Sequence, residues 1–114
     1  MRTLIISRHP AAVNFARSEL ERAGFGTDFI VLSHLDEQTL SQLGEGDIVA
    51  GVLPLPIVAR LLGAGVRVFL IQMSLPPEAR GRELSVEEMR SYGACLLEVR
   101  GTIELVPFNE EERR

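Results

Sequence analysis

Short apolar runs that alternate with helix signals constrain this chain more than any other feature of its sequence. Four such runs, rich in Ile, Val and Leu, lie at residues 3–7, 28–33, 48–53 and 66–71. Continuous apolar runs of this length are typical of strands buried on both faces of a sheet. Because helical patterns separate the runs, the sequence predicts a largely parallel sheet whose strands are joined by crossover helices.

Capping residues and prolines predict where the helices begin. Pro10 suits the first position of a helix that Gly24 ends, Ser33 or Asp36 can cap a second helix, and Pro56 suits the start of a third. The Ser-x-x-Glu pattern at residues 85–88 predicts a capping box for a last helix. A final strand is predicted at residues 94–106.

These elements predict one α/β domain at residues 1–108, Rossmann-like, with a mostly parallel sheet and helices on both faces, followed by a charged tail at residues 109–114. The length of 114 residues and the hydrophobic content of 46% suffice for one core. No apolar run reaches the roughly 20 residues of a membrane helix, and no signal peptide is recognisable, so we expect a cytoplasmic protein that does not contact membranes.

Charge and cysteine content exclude several classes of function. The net charge of −4 disfavours a protein that coats duplex nucleic acid, although a few convergent arginines can still hold a compact anion. A single cysteine, Cys95, cannot form an internal disulfide, and with two histidines it makes a metal site improbable. We therefore expect neither a metal nor a cofactor.

The first candidate site is Ser7-Arg8-His9 at the exit of the first strand, where a helix amino terminus adds free N–H groups and partial positive charge. Arg8 can pair with phosphate oxygens, a histidine changes charge near neutral pH, and Ser7 can donate a hydrogen bond. We interpret the three residues as a phosphate-binding group. The alternative is that Ser7 and His9 merely cap the helix.

Further polar residues follow the other strands and are expected at the same edge of the sheet, where ligands bind in parallel α/β folds. His34 follows the second strand, and Gly51, Leu53 and Pro54 after the third are expected to shape the pocket floor. The loop after the fourth strand supplies the candidate ligand-binding residues Gln72, Ser74, Arg80 and Arg82. Arg80-Gly81-Arg82 is interpreted as an anion clamp, or alternatively as a solvated turn paired with Glu78, Glu83 or Glu87.

Two common classes of site find no support in the sequence. No Gly-x-Gly-x-x-Gly fingerprint follows the first strand, and no Gly-Lys-Ser/Thr loop occurs. Dinucleotide binding and ordinary nucleotide hydrolysis are therefore not predicted. Cys95 has no histidine near it in sequence, so we do not expect a cysteine nucleophile.

Spaced motifs over residues 3–99 resemble the Csx-sixteen family, small CRISPR-associated accessory proteins of type III systems. They are Ser-Arg-His-Pro at 7–10, His-Leu-Asp at 34–36, Gly-Asp at 46–47, Gly-x-Leu-Pro at 51–54, Leu-Pro-x-Glu-x-Arg-Gly-x-Glu-Leu at 75–84, and Gly-Ala at 93–94. The chain departs from the family at Ala11 and Phe15, where Gly and Trp are frequent. The resemblance implies a CARF-like homodimer that acts as a ring nuclease on cyclic oligoadenylate.

The reaction that the resemblance suggests is metal-independent attack of a ribose 2′-hydroxyl on the neighbouring phosphorus, with cyclic tetra-adenylate as the expected substrate. We assign charge stabilisation to Arg8 with Arg80 or Arg82, phosphate orientation to Ser7, and the general base or acid to His9 or His34. A non-catalytic sensor or sponge for the same ligand is the alternative. A third possibility is a protein-interaction subunit with no nucleotide site.

Overall fold

The central strands of the sheet are formed by the most apolar segments of the chain. The computed structural model describes residues 1–74, 76–79 and 81–108, so Arg80 and the charged tail at 109–114 lie outside the described residues. The strands are β1 (Thr3–Ile6), β2 (Ile30–Leu32), β3 (Ile48–Gly51), β4 (Arg67–Gln72) and β5 (Cys95–Val99). Their order is β2-β1-β3-β4-β5, and all neighbours are parallel except β4 and β5.

Four helices connect the strands: α1 (Pro10–Arg22), α2 (Glu37–Gln42), α3 (Leu55–Gly63) and α4 (Val86–Ser91). α1 begins at Pro10, as predicted. Asp36, rather than Ser33, caps α2 by accepting a hydrogen bond from the Thr39 amide. The capping box of Ser85 and Glu88 is present at the start of α4.

Alternation of side chains along the strands divides the core into two layers. Leu4, Val49 and Val68 point to one face, where they pack with residues of α2 and α3. Ile5 and Phe69 point to the other face and pack with α1. A third cluster joins α1 to α4 through Phe15, Leu84 and Met89. Successive strand residues face opposite sides, so a strand buried on both faces must be apolar throughout. The predicted α/β fold, with helices on both faces, is confirmed.

The last strand is shorter than predicted and runs antiparallel to β4. Cys95 pairs with Gln72 and Val99 with Val68, near the two ends of β4. The prediction of a strand through residue 106 is wrong, because β4 extends only one residue beyond the Val68–Val99 pair and Gly101 turns the chain with a φ of 89°.

Gly51, the last residue of β3, has no room for a side chain beside β1. Its φ is 151°, and a Cβ placed there would lie 2.1 Å from the carbonyl oxygen of Ile6. The next amide, that of Val52, lies 3.4 Å from the same oxygen and donates a hydrogen bond to it. The two strands thus stay paired to the end of β3, and this pairing requires the absence of a side chain at Gly51.

Asp47 joins the amino ends of the strands at the opposite edge of the sheet. Its carboxylate accepts hydrogen bonds from the amides of Arg2 (2.9 Å) and Gly44 (3.0 Å) and pairs with the Arg2 guanidinium at 3.2 Å. Burial by itself raises the pKa of Asp47, but these hydrogen bonds and the Arg2 charge outweigh it and hold the pKa below its ordinary value. The carboxylate therefore stabilises the fold in its charged form.

In residues 1–74, 76–79 and 81–108, every helix falls short of the length and apolarity needed to cross a bilayer.

Replacing Gly51 with Ala is expected to lower the free energy of unfolding by about 3 kcal/mol, because backbone atoms of Ile6 must move to admit the methyl group. Gly63→Ala is the matched control, since its Cβ meets no atom within 4 Å and its φ is ordinary. The control should leave stability unchanged or raise it by up to about 1 kcal/mol. Urea denaturation measures both, and equal midpoints for the two variants would contradict the role of Gly51.

Asp47→Asn is expected to destabilise the protein by about 2 kcal/mol at pH 7, because an amide cannot accept all the hydrogen bonds of the carboxylate. The folded-state pKa lies below the ordinary value of 3.8, so the stabilisation is present above that pH and is lost as the pH falls through the lowered value. Chemical denaturation at several pH values should show the difference from wild type shrinking below about pH 4. Exposed Asp28→Asn is the control, and a pH-independent difference would contradict the assignment.

Candidate functional site

A large cavity of about 810 Å³ opens at the carboxyl ends of β1, β3 and β4. The chain leaves β1 for β2 on one side and then returns to β3 on the other, so β1 and β3 flank the point where the strand order reverses. Ligands of open α/β sheets bind at this switch point. The residues that line the large cavity are His9, Pro10, Ala11, Ala12, Val52, Ile71, Met73, Ala79, Gly81, Arg82, Glu83, Leu84 and Met89.

The first turn of α1 forms one wall of the large cavity. The His9 amide donates to Ser7 Oγ at 3.1 Å, and the Val13 amide donates to the His9 carbonyl at 3.1 Å. The amides of Ala11 and Ala12 have no partner among the described residues. The His9 side chain makes no capping bond, so its imidazole is not engaged as a cap. Two N–H groups and the positive end of a 13-residue helix thus suit an anion at this wall.

Arg82 lines the large cavity together with the first turn of α1. Its Nη1 lies 2.9 Å from Glu88 Oε2, and its Nη2 donates to the Tyr92 hydroxyl at 3.3 Å. The expected partners of a solvated turn, Glu78, Glu83 and Glu87, do not make this ion pair. A hydrogen bond from the Ser85 amide and the Arg82 guanidinium hold the pKa of Glu88 below its ordinary value, which keeps it charged at neutral pH.

A small cavity of about 140 Å³ lies beside the large one. Ser33, His34, Leu53 and Pro54 contribute to its lining, and Val52 lines both cavities. The His34 Nδ1 is 3.3 Å from Ser33 Oγ. The structure thus places His9 and His34 on the two sides of Val52, at the parting of β1 and β3.

Several predicted site residues lie away from the large cavity. Arg8 is exposed and lines neither of the two cavities, although it adjoins His9. Gln72 and Ser74 are exposed, while the alternate residues Ile71 and Met73 line the large cavity. Side chains alternate along an extended segment, so these two pairs face opposite sides. The predicted contribution of Arg80 falls outside the described residues.

The apolar wall of the large cavity and the partners of Arg82 have weak signals in the sequence. The apolar wall of Ile71, Met73 and Leu84 resembles ordinary core, and its position at the cavity depends on the loop after β4. Glu88 carries a capping-box signal that does not reveal its second partner, Arg82. Tyr92 has no motif, since its hydroxyl is brought to Arg82 by the turn at the end of α4.

The described histidine, cysteine and acidic side chains do not form a metal site. Within the described ranges, no group of three or more His, Cys, Asp or Glu side chains is arranged to hold a metal ion. Cys95 is partly exposed in β5 and borders a separate cavity of about 410 Å³ with Leu20 and Phe69. It therefore lies apart from the large cavity.

Comparison with known proteins identifies the family. No curated protein and no solved structure shows significant similarity to the chain. A family model described as "Putative CRISPR-associated protein (Cas_VVA1548)" matches residues 4–102. This match spans β1 through β5 and includes both cavities at the carboxyl edge of the sheet. The chain therefore belongs to this family of CRISPR-associated proteins.

Proposed function

We propose that this protein is a ring nuclease that binds cyclic oligoadenylate, specifically cyclic tetra-adenylate, and linearises it, which would end the signal in type III CRISPR defence. Membership of a CRISPR-associated family supports the biological setting. The resemblance of its motifs to the Csx-sixteen family supplies the ligand and the reaction. Neither a metal nor a cofactor enters the proposed chemistry.

The observation that carries the proposal is the position and character of the large cavity. It lies at the β1/β3 switch point, and its volume of about 810 Å³ falls within the usual range for small-molecule sites. Its lining includes His9, Arg82, and Ala11 and Ala12, whose amides have no partner among the described residues. A phosphodiester requires such a combination of hydrogen-bond donors, positive charge and a group able to move protons.

The proposed reaction is an in-line transfer within the ligand. A ribose 2′-oxygen forms a bond to the adjacent phosphorus as the bond from that phosphorus to the 5′-oxygen breaks. One group removes the proton from the 2′-hydroxyl, and a second gives a proton to the departing 5′-oxygen. The products carry a 2′,3′-cyclic phosphate at one end and a 5′-hydroxyl at the other.

The residues fit these steps in different ways. The α1 amides and Arg82 stabilise negative charge on the phosphorane oxygens, and His9 is placed to transfer a proton within the same cavity. Arg8 adds positive charge at the rim beside His9, and Ser7 contributes by fixing the His9 backbone. His34, Leu53 and Pro54 line the small cavity beside the large one, which we assign to part of a neighbouring nucleoside.

A second copy of the chain completes the proposed site. Cyclic tetra-adenylate has two-fold symmetry, and a homodimer with the same symmetry would present each copy's donors to one half of the ring. One large cavity then holds one phosphodiester with its neighbouring nucleosides.

Purified protein incubated with cyclic tetra-adenylate in EDTA is expected to give linear adenylates that end in a 2′,3′-cyclic phosphate. Chromatography and mass spectrometry of the products test this directly. If the ligand stays intact but raises the melting temperature of the protein, the protein is a binding module rather than a nuclease, because a ligand that binds only the native state stabilises that state. If the ligand stays intact and the melting temperature does not change, the protein does not bind cyclic tetra-adenylate, and the result favours a protein-interaction subunit.

His9→Ala is expected to slow single-turnover cleavage by about 100-fold or more, the usual effect of removing a general acid or base. Arg8→Ala should slow it less, about tenfold, because Arg8 lies at the rim rather than in the lining. Arg100→Ala is the matched control, an arginine 85% exposed beside β5 at the far edge of the sheet.

Comparing His34→Ala with His9→Ala shows which of the two histidines transfers the proton. If His34→Ala stops cleavage while His9→Ala does not, the proton-transfer role belongs to the small cavity. Unchanged rates in both histidine variants would exclude histidine catalysis at this edge.

A further inference from the structure

The side chains around Arg82 form a connected network at the wall of the large cavity. Glu88 bonds Arg82 through Oε2 at 2.9 Å, and through Oε1 it accepts the Ser85 amide at 3.2 Å. The Glu88 amide in turn donates to Ser85 Oγ at 3.1 Å. The Tyr92 hydroxyl holds the second terminal nitrogen of Arg82 at 3.3 Å. Each of the three side chains therefore has its position set by at least one other group.

The network leaves part of the Arg82 guanidinium available. A guanidinium carries five N–H donors, and the two contacts with Glu88 and Tyr92 account for one on each terminal nitrogen. The remaining donors belong to a side chain that lines the large cavity. An isolated surface ion pair adds little to the stability of a protein. A guanidinium already held by two partners, however, loses less conformational entropy when it binds an anion, and this favours binding.

We infer that Glu88 and Tyr92 are positioning residues that hold Arg82 ready for a phosphate group in the large cavity. The inference rests on the proposed function in that it takes the ligand to be a phosphodiester. Glu88 thus has two roles, as the third residue of the α4 capping box and as the partner that fixes the guanidinium. Glu88 does not touch the ligand and acts through Arg82.

Glu88→Gln separates these two roles. Glutamine also serves in a capping box, so α4 and the melting temperature should be retained to within about 2 °C. The charge that holds Arg82 is lost. Glu87→Gln is the matched control, because Glu87 is an exposed neighbour on the same helix with no ion pair among the described residues.

Binding of inorganic pyrophosphate and of cyclic tetra-adenylate, measured by calorimetry on a His9→Ala background, tests the inference. Glu88→Gln should weaken both by about fivefold to tenfold and Tyr92→Phe by about threefold, the range expected for charged and neutral hydrogen bonds acting indirectly. Arg82→Met should weaken both by at least as much as Glu88→Gln. Glu87→Gln should have no effect.

The double variant Glu88→Gln with Arg82→Met decides between positioning and general structural damage. If Glu88 acts through Arg82, the double variant binds no more weakly than Arg82→Met alone. Additive losses, unchanged affinity in Glu88→Gln, or tighter binding because Glu88 competes with the ligand would each overturn the inference. The positioning role and the proposed activity can fail separately. If pyrophosphate binding depends on Glu88 and Tyr92 but the wild-type protein does not cleave cyclic tetra-adenylate, the positioning role holds and the proposed nuclease activity is refuted.

Discussion

The contact between Gly51 and the Ile6 carbonyl determines how the functional edge of this molecule is built. Two buried strands stay hydrogen-bonded to their last residues because no side chain intervenes there. Immediately beyond, the chain after β1 enters α1 on one face, and the chain after β3 enters α3 on the other. Both cavities open at this divergence, and Val52 separates them. The close backbone approach at Gly51 holds β1 and β3 together up to this point, and the departure of α1 and α3 to opposite faces opens the site beyond it.

The two edges of the sheet have opposite electrostatic character. At the amino edge, Asp47 is an anion enclosed by donors of its own chain, which makes that edge a structural junction. At the carboxyl edge, the Ala11 and Ala12 amides of α1 have no partner among the described residues, and the two described contacts of Arg82 leave other N–H groups of its guanidinium available. A protein of net charge −4 can therefore present a local anion-binding surface. The distribution of partners, rather than the total charge, distinguishes the two edges.

Local sequence patterns predicted most of the strands and helices, whereas the features that were not predicted depend on contacts between residues far apart in the chain. The β1 and β3 runs and the Ser85 capping box depend on near neighbours and are read directly from the chain. The direction and end of β5 are defined by its pairing with β4, about 25 residues away in the chain, which no local motif encodes. The site shows the same division. His9 was expected at the switch point, but the ion pair between Arg82 and Glu88 depends on how the preceding loop turns.

The hydroxyl bound to Arg82 has a spectroscopic consequence. Tyr92 is the only tyrosine of the sequence, and the sequence contains no tryptophan. The intrinsic fluorescence of the unlabelled protein therefore arises mainly from a phenol whose oxygen contacts a residue of the large cavity. Any event that changes the surroundings of Arg82 changes the environment of this single emitter, so the protein carries an optical reporter of its own site without an added dye.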